Sequence, residues 1–330
     1  MPNTYLVTGG AGFIGSHTVE ALLARGDSVI AVDNLSTGSR VNLAAVEHHP
    51  RLRFVAGSVL DEPLVDELVN QSDVVIHLAA SVGVKLIIEQ PLRSFLNNVR
   101  GSEVVIGAAH RYRRTILVAS TSEVYGKNGS RPLREDDDRL LGATSVSRWA
   151  YSTAKSVDEI MAFSYHRERG LPAIVTRLFN TVGPRQSPAY GMVIPRLVRQ
   201  AVAGEPLTVY GDGLQTRCFC HVSDVVTALL LLLEEPLAVG EAFNVGAPEE
   251  VSILDLAQRI RAATGNRSPV VLVPYDEAYD PGFEDMRRRV PDISKLRGLT
   301  GWSPTRPLSA ILDEVIAEAQ GEPMASIAWT

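Results

Sequence analysis

Short, dense apolar runs along the chain are separated by longer stretches in which apolar residues recur every three or four positions. The runs at 4–7, 28–32, 52–55, 74–78, 115–119 and 173–177 are four or five residues long and rich in β-branched side chains, which predicts strands. The stretches at 13–24, 60–69, 94–110 and 152–168 carry helical spacing and fall between them. Apolar strands that alternate with helices predict an α/β fold with a doubly wound parallel sheet, covered on both faces. Ligands of such sheets bind beyond the carboxyl ends of the strands.

After residue 177 the alternation breaks. Residues 180–191 are rich in Pro, Gly and Ser and read as a loop that leads into a helix at 193–203. A strand at 207–210 precedes the turn Gly211-Asp212-Gly213, while a helix at 222–234 and a strand at 242–245 return to the sheet. Ser252 can cap a helix running to about 263, and a last helix is expected near 308–319. The pattern predicts a larger domain from residues 1–178 and 220–250. A smaller, discontinuous α/β domain follows from 179–219 and 251–330, with the substrate cleft between the two.

The first strand-to-helix turn holds Gly9, Gly12 and Gly15, and Gly10 to Gly15 also fits G-x-G-x-x-G. A dinucleotide turn needs glycine for a tight bend, for close approach to a pyrophosphate, and for contact between helix and strand. The helix N-terminus then offers unpaired N–H groups and a positive dipole end. A sharp turn alone also needs glycine, so the second strand matters. It ends in Asp33-Asn34, and Asp33 lies 18 positions after Gly15, where a Rossmann-type unit places the acid for the adenosine ribose. A carboxylate there repels the extra phosphate of NADP and favours NAD; Arg40 keeps NADP open.

Composition narrows the function classes. The 330 residues are 45% hydrophobic, enough for two cores. Lys plus Arg number 32 against 38 Asp plus Glu, a net charge of −6 that argues against nucleic acid or an anionic membrane as the main partner. Two cysteines, Cys218 and Cys220, make no disulfide framework, and no signal peptide or membrane-length apolar run is visible, so a cytoplasmic protein is expected. Cys218-Phe219-Cys220-His221 lacks a fourth ligand at useful spacing, and alternation in a strand explains its thiols; no metal is expected.

Tyr151 and Lys155 stand one helical turn apart, and a nearby cation favours a phenolate that can act as a base. Taken alone the pair also fits an exposed helix face. Upstream, the strand beginning near 115 ends in Ser120-Thr121-Ser122-Glu123, at the same sheet edge as the glycine turn.

Gly9, Gly12 and Gly15, Asp33, His77 to Ala80, Asn98-Val99, Ser120 to Gly126, Tyr151 and Lys155, and Arg177 to Asn180 occur together and in order. The set resembles the extended short-chain dehydrogenase/reductase family that modifies nucleotide sugars. The resemblance extends to Tyr210 to Gly213, Thr216-Arg217 and Phe243 to Gly246, and so covers nearly the whole chain. It implies NAD held by Gly9, Gly12, Phe13, Ile14, Gly15, Asp33, Asn34, Ser58, Val59, Leu78, Ala79, Ala80, Asn98, Tyr151 and Lys155. Ser58 departs from the pattern, since relatives often carry Asp there. Tyr151 would take the proton of the sugar C4 hydroxyl, Lys155 would lower its pKa and hold the nicotinamide ribose, and Thr121 would bond the C4 oxygen. Ser122 and Glu123 complete the implied catalytic set.

A C4 ketone makes C5 acidic and turns a C6 carboxylate into a β-keto acid, so epimerisation, dehydration or decarboxylation can follow. Glu123 resembles dehydratases and UDP-glucuronate decarboxylases more than simple 4-epimerases, because a carboxylate can manage a proton at C5. Residues 282–292, with Arg289, and Ser147 to Tyr151 also resemble decarboxylases and UDP-apiose/xylose synthases. Arg289 would serve the active site or the diphosphate, and Arg217 the diphosphate. Asn180 would lie between sugar and phosphate, Tyr210 would join the substrate site, and Val193 would line the base. Arg185, after Gly183-Pro184, would meet a uronate carboxylate, as in uronate 4-epimerases. UDP-glucuronate decarboxylation is therefore the expected reaction, ahead of 4-epimerisation and 4,6-dehydration. A catalytically silent NAD or nucleotide-sugar sensor is the alternative from another class. A homodimer pairing the helices at 94–110 and 152–168 is the implied assembly.

Overall fold

In a computed structural model of the chain, residues 2–82, 90–129, 131–188, 192–278, 286–322, 327 and 329 are described. The first half alternates as β1 (Thr4–Thr8), α1 (Phe13–Ala24), β2 (Ser28–Asp33), β3 (Leu52–Ala56), α2 (Glu62–Asn70), β4 (Val74–His77), α3 (Pro91–Arg111), β5 (Thr115–Thr121), α4 (Ala150–Arg169) and β6 (Ala173–Leu178). The second half is more broken: β7 (Thr181–Val182), α5 (Val193–Val202), β8 (Leu207–Tyr210), β9 (Thr216–Cys218), β10 (Cys220–His221), α6 (Val222–Glu234), β11 (Ala242–Val245), β12 (Glu250–Ser252) and α7 (Ile253–Ala263). After these come β13 (Val270–Val273), α8 (Tyr275–Ala278), β14 (Arg288–Arg289), α9 (Ser294–Thr300) and α10 (Leu308–Ala319).

Seven strands form one parallel sheet in the order β11-β6-β5-β4-β1-β2-β3. Side chains of a strand point alternately to its two faces. Tyr5, Val7, Val29 and Ala31 accordingly join α1 and α6 in one core, while Leu6, Ile30 and Val32 join α2, α3 and α4 in the other. Both faces are apolar because both are covered by helices. Connections leave β1 toward one edge and β4 toward the other, so a crevice opens at their carboxyl ends.

Local signals set the element ends. Asp61 caps α2, its Oδ1 accepting the Leu64 N–H at 3.2 Å. Gly170, left-handed at φ +69°, ends α4. The expected strand at 115–119 runs on to Thr121, which brings Ser120 and Thr121 onto the strand end itself.

A separate core gathers Ile194, Leu197, Val209, Leu256, Ile260, Ile311 and Leu312 from α5, β8, α7 and α10, with Val182 of β7 and Phe219 between β9 and β10. Ile293, Leu296 and Trp302 fall within the stretch expected to belong to the smaller domain, yet they pack in the core of the main sheet. The Trp302 indole donates to the Asp224 carbonyl of α6 at 3.0 Å and fixes that return. Cys218 and Cys220 are both buried, but they stand in two strands, β9 and β10, rather than alternating along one. Residues 282–285 of the stretch resembling decarboxylases, and 189–191 of the expected loop, lie outside the described residues.

Candidate active site

A cavity of about 490 Å³ lies at the carboxyl ends of β1, β2, β4, β5 and β6. Every residue that the resemblance implies for cofactor, substrate or chemistry lines it, Gly9 and Arg289 among them.

The glycine turn is built by close approach. Gly9 is left-handed at φ +69°, and a Cβ on Gly15 would stand 2.0 Å from the Gly9 carbonyl oxygen. Gly12 is the N-cap of α1 without a side-chain cap, and the first turn of the helix holds no acidic residue. The leading N–H groups of α1 therefore remain available to an anion. Overpacking of this kind costs about 1–3 kcal/mol or more. Gly15→Ala is expected to lower the thermal midpoint and to abolish NAD binding, checked by a melting curve and by calorimetry. Unchanged NAD affinity would separate the turn from cofactor binding.

Asp33, at the end of β2, accepts the Ala11 N–H on Oδ2 at 3.0 Å and the Leu35 N–H on Oδ1 at 2.8 Å. It thus ties the glycine turn to the loop after β2 while still lining the cavity beside Asn34. Ser58 lines the cavity next to Val59, and its Oγ accepts the Leu60 N–H at 3.2 Å. The segment after β4 is fixed from two sides. Ala79 N–H donates to Thr8 Oγ1 at 3.1 Å, and Asn98 brackets Ser81, accepting its N–H at 2.6 Å and donating to its carbonyl at 3.2 Å.

At the end of β5, Thr121 Oγ1 accepts the Glu123 N–H at 3.2 Å and starts a short turn in which Ser122 is buried. Ser152 at the start of α4 donates to the Glu123 carbonyl at 2.7 Å, locking helix and turn together. Glu123 is clamped by two guanidinium groups. Arg148 holds both carboxylate oxygens, one at 3.0 Å, and Arg289 Nη1 reaches Oε1 at 3.3 Å. Burial works against this carboxylate, but Arg148 and then Arg289 outweigh it and hold Glu123 down to about 2. A group so weakly basic is poorly matched to moving a proton near neutral pH. The physical reason lies in Arg148, three residues before Tyr151, whose reach to Glu123 only the fold creates.

Tyr151 and Lys155 do face the cavity together from α4. The expected acidification of the phenol by Lys155 is not what the resting site shows. Burial, then Glu123 and Asp158, push the Tyr151 hydroxyl well above the usual phenol value, against the pull of Arg289 and Arg148. Beside that burial, the Lys155 ammonium donates to Asp158 Oδ2 at 3.0 Å, so its charge is compensated within the helix.

On the opposite wall, parallel pairing of β14 with β9 sets Arg289 beside Arg217. Asn180 donates to the Cys218 carbonyl at 2.7 Å and accepts from Arg289 Nη2 at 2.5 Å. Tyr210 lies beneath the Arg196 guanidinium at 4.2 Å, and Val193 opens α5. Arg185 lines the cavity too, but its guanidinium bonds Glu20 at 2.7 Å and Ser16 Oγ at 3.2 Å, both on α1. Those contacts tie it to the glycine-turn helix.

Residues 5–246 match the profile of the NAD dependent epimerase/dehydratase family. The chain belongs to that family. It is 42% identical over 321 residues to the UDP-N-acetyl-alpha-D-glucosaminuronate decarboxylase of Bacillus cytotoxicus, covering 96% of this chain and 97% of that one. It is 37% identical over 311 residues to UDP-glucuronic acid decarboxylase 1 of Danio rerio, covering 94% of this chain and 71% of the relative. The UDP-glucuronic acid 4-epimerase of Bacillus cereus, solved with UDP-glucuronic acid and NAD, superposes with a TM-score of 0.87 at 29% identity, over 96% of this chain and 99% of that one.

NAD is the cofactor of the family, and the residues present fit it: the glycine approach leaves no room for a side chain at Gly15, the first turn of α1 carries no acid, and Asp33 lines the cavity at the end of β2.

Proposed function

We propose that the chain is an NAD-dependent UDP-uronate decarboxylase, with UDP-glucuronate the favoured substrate, acting through a transient C4 ketone. The observation that carries this reading is the Glu123 clamp. Arg148 and Arg289 both meet the Glu123 carboxylate, and all three line the cavity with Tyr151. A pair of planar guanidinium groups lining the cavity suits a sugar C6 carboxylate, which each can bind bidentately.

Bound NAD supplies a hydride acceptor and later returns the hydride. Tyr151 takes the C4 hydroxyl proton, Thr121 bonds the C4 oxygen, and Lys155 holds the nicotinamide ribose. With C4 a ketone, the C5–C6 bond breaks, its electron pair passes into the enolate of C4 and C5, and carbon dioxide leaves. The enolate takes a proton from water at C5 in place of the lost carboxylate, and Tyr151 returns its own to the C4 oxygen as C4 is reduced. Glu123 keeps Arg148 and Arg289 in place and repels a second carboxylate unless those arginines receive it. Arg217 and Asn180 would take the diphosphate, and Tyr210 and Val193 the base.

The residues 1–178 and 220–250 are read as the NAD-binding domain. Residues 179–219 and 251–330 are read as the nucleotide-sugar domain, with 293–302 returning to the larger core. Exposed Leu92 and Leu96 on α3 and Ile160 on α4 support a homodimer through those helices. Among the described residues no helix is long and apolar enough to cross a membrane, and a cytoplasmic enzyme is the reading.

Product analysis tests the proposal. UDP-glucuronate should yield carbon dioxide and a UDP-pentose, and an isomer of equal mass alone would replace decarboxylation by 4-epimerisation. UDP-N-acetylglucosaminuronate belongs in the same assay, because the Bacillus cytotoxicus relative carries that substrate in its name over the whole length of the match.

A further inference from the structure

A line of buried polar groups runs beneath the cavity and ends on a carboxylate with no role in the chemistry above. Thr8 Oγ1 and His77 Nδ1 are 2.8 Å apart, and His77 Nε2 lies 3.1 Å from the Ser102 hydroxyl of α3. Burial, then Lys155, push His77 down to about 3, so it is a neutral imidazole. Next to Ser102 stands Asp158, three residues after Lys155 and 0% exposed. Its Oδ2 accepts from Lys155 Nζ at 3.0 Å, Oδ1 has no geometric hydrogen-bond partner among the described residues, and the Ser102 hydroxyl and Lys155 both favour its charged form against burial.

A buried carboxylate with one oxygen unsatisfied is costly, as is a buried ammonium without a counter-charge. The two compensate each other. An ammonium has three donors, of which Asp158 takes one and leaves two for a ligand in the cavity. The charged groups acting on Tyr151 are Glu123 after β5, Arg148 ahead of α4, Arg289 on β14 and Asp158 on α4 itself.

We propose that Asp158 is a positioning residue that seats the Lys155 ammonium and cancels its charge, so that Tyr151 keeps its proton until cofactor and substrate are in place. The proposal rests on Tyr151 as the base and not on which sugar is bound.

The test uses the NAD-bound enzyme with Asp158→Asn and Asp158→Glu. Tyr151 ionisation is read as the ultraviolet difference against Tyr151→Phe in each background, which needs no sugar. Asp158→Asn is expected to move that ionisation down by about one pH unit or more, and Asp158→Glu to restore it in part. An unchanged ionisation with only a lower melting point would leave Asp158 a purely structural residue and overturn the proposal. If Asp158→Asn does not fold, the double variant Lys155→Met with Asp158→Asn should regain the fold, because no uncompensated charge is left. Failure of the double variant to recover would also overturn it. Absence of turnover with UDP-glucuronate, beside a shifted ionisation, would overturn the substrate reading alone.

Discussion

Tyr151→Phe is expected to lower turnover of UDP-glucuronate by about 10³-fold while NAD stays bound. The variant keeps the ring and its packing, and Tyr151 is only 9% exposed, so the fold should be spared. What it removes is the one hydroxyl that faces the cavity from the helix carrying Lys155. Turnover and NAD affinity measured on the same preparation check this. Turnover equal to the parent would remove the tyrosine from the mechanism.

The second large effect is at Glu123. Glu123→Gln should spare C4 oxidation but slow carbon dioxide release by about 10²-fold, so that reduced nicotinamide accumulates. Glutamine keeps a carbonyl toward Arg148 but removes the carboxylate charge that Arg148 and Arg289 share. Alanine is a poorer test, because breaking such a buried pair costs about 3–5 kcal/mol of stability and confuses folding with function. Normal product formation by Glu123→Gln would remove the residue from the later step.

The Glu123 clamp also fixes a pH dependence. The folded-state pKa lies below the ordinary carboxylate value, so the stability contributed by the clamp is present above about 4.5 and is lost as pH falls toward 2. Across the neutral range it does not change. A limb of the turnover profile near neutral pH therefore belongs to a group other than Glu123.

The strand runs and the glycine turn were legible because both arise from local sequence. Leu6 and Val7 point to opposite faces of the sheet whatever lies around them. β7, β9, β10, β12 and β14 were not legible, for each holds two or three residues and exists only through a distant partner. Arg289 could be placed near the active site by resemblance, but its pairing beside Arg217 required the β14–β9 register. The clamp was hidden for the same reason: Arg148 lies 25 residues from Glu123, and Arg289 lies 166. Asp158 was in plain view three residues after Lys155, where such a spacing normally marks a solvated helix face. Burial alone turns that pair from an ornament of the surface into a determinant of the charge at Tyr151.

The central claim is that a sugar ketone forms at C4 before carbon dioxide leaves. It is tested most directly by a single turnover of NAD-loaded protein with UDP-glucuronate, unlabelled and deuterated at C4, followed by nicotinamide absorbance and carbon dioxide together. The account predicts a transient rise in reduced nicotinamide, slowed by the deuterium, that precedes the gas. Carbon dioxide released without that rise and at the same rate from both substrates would contradict it.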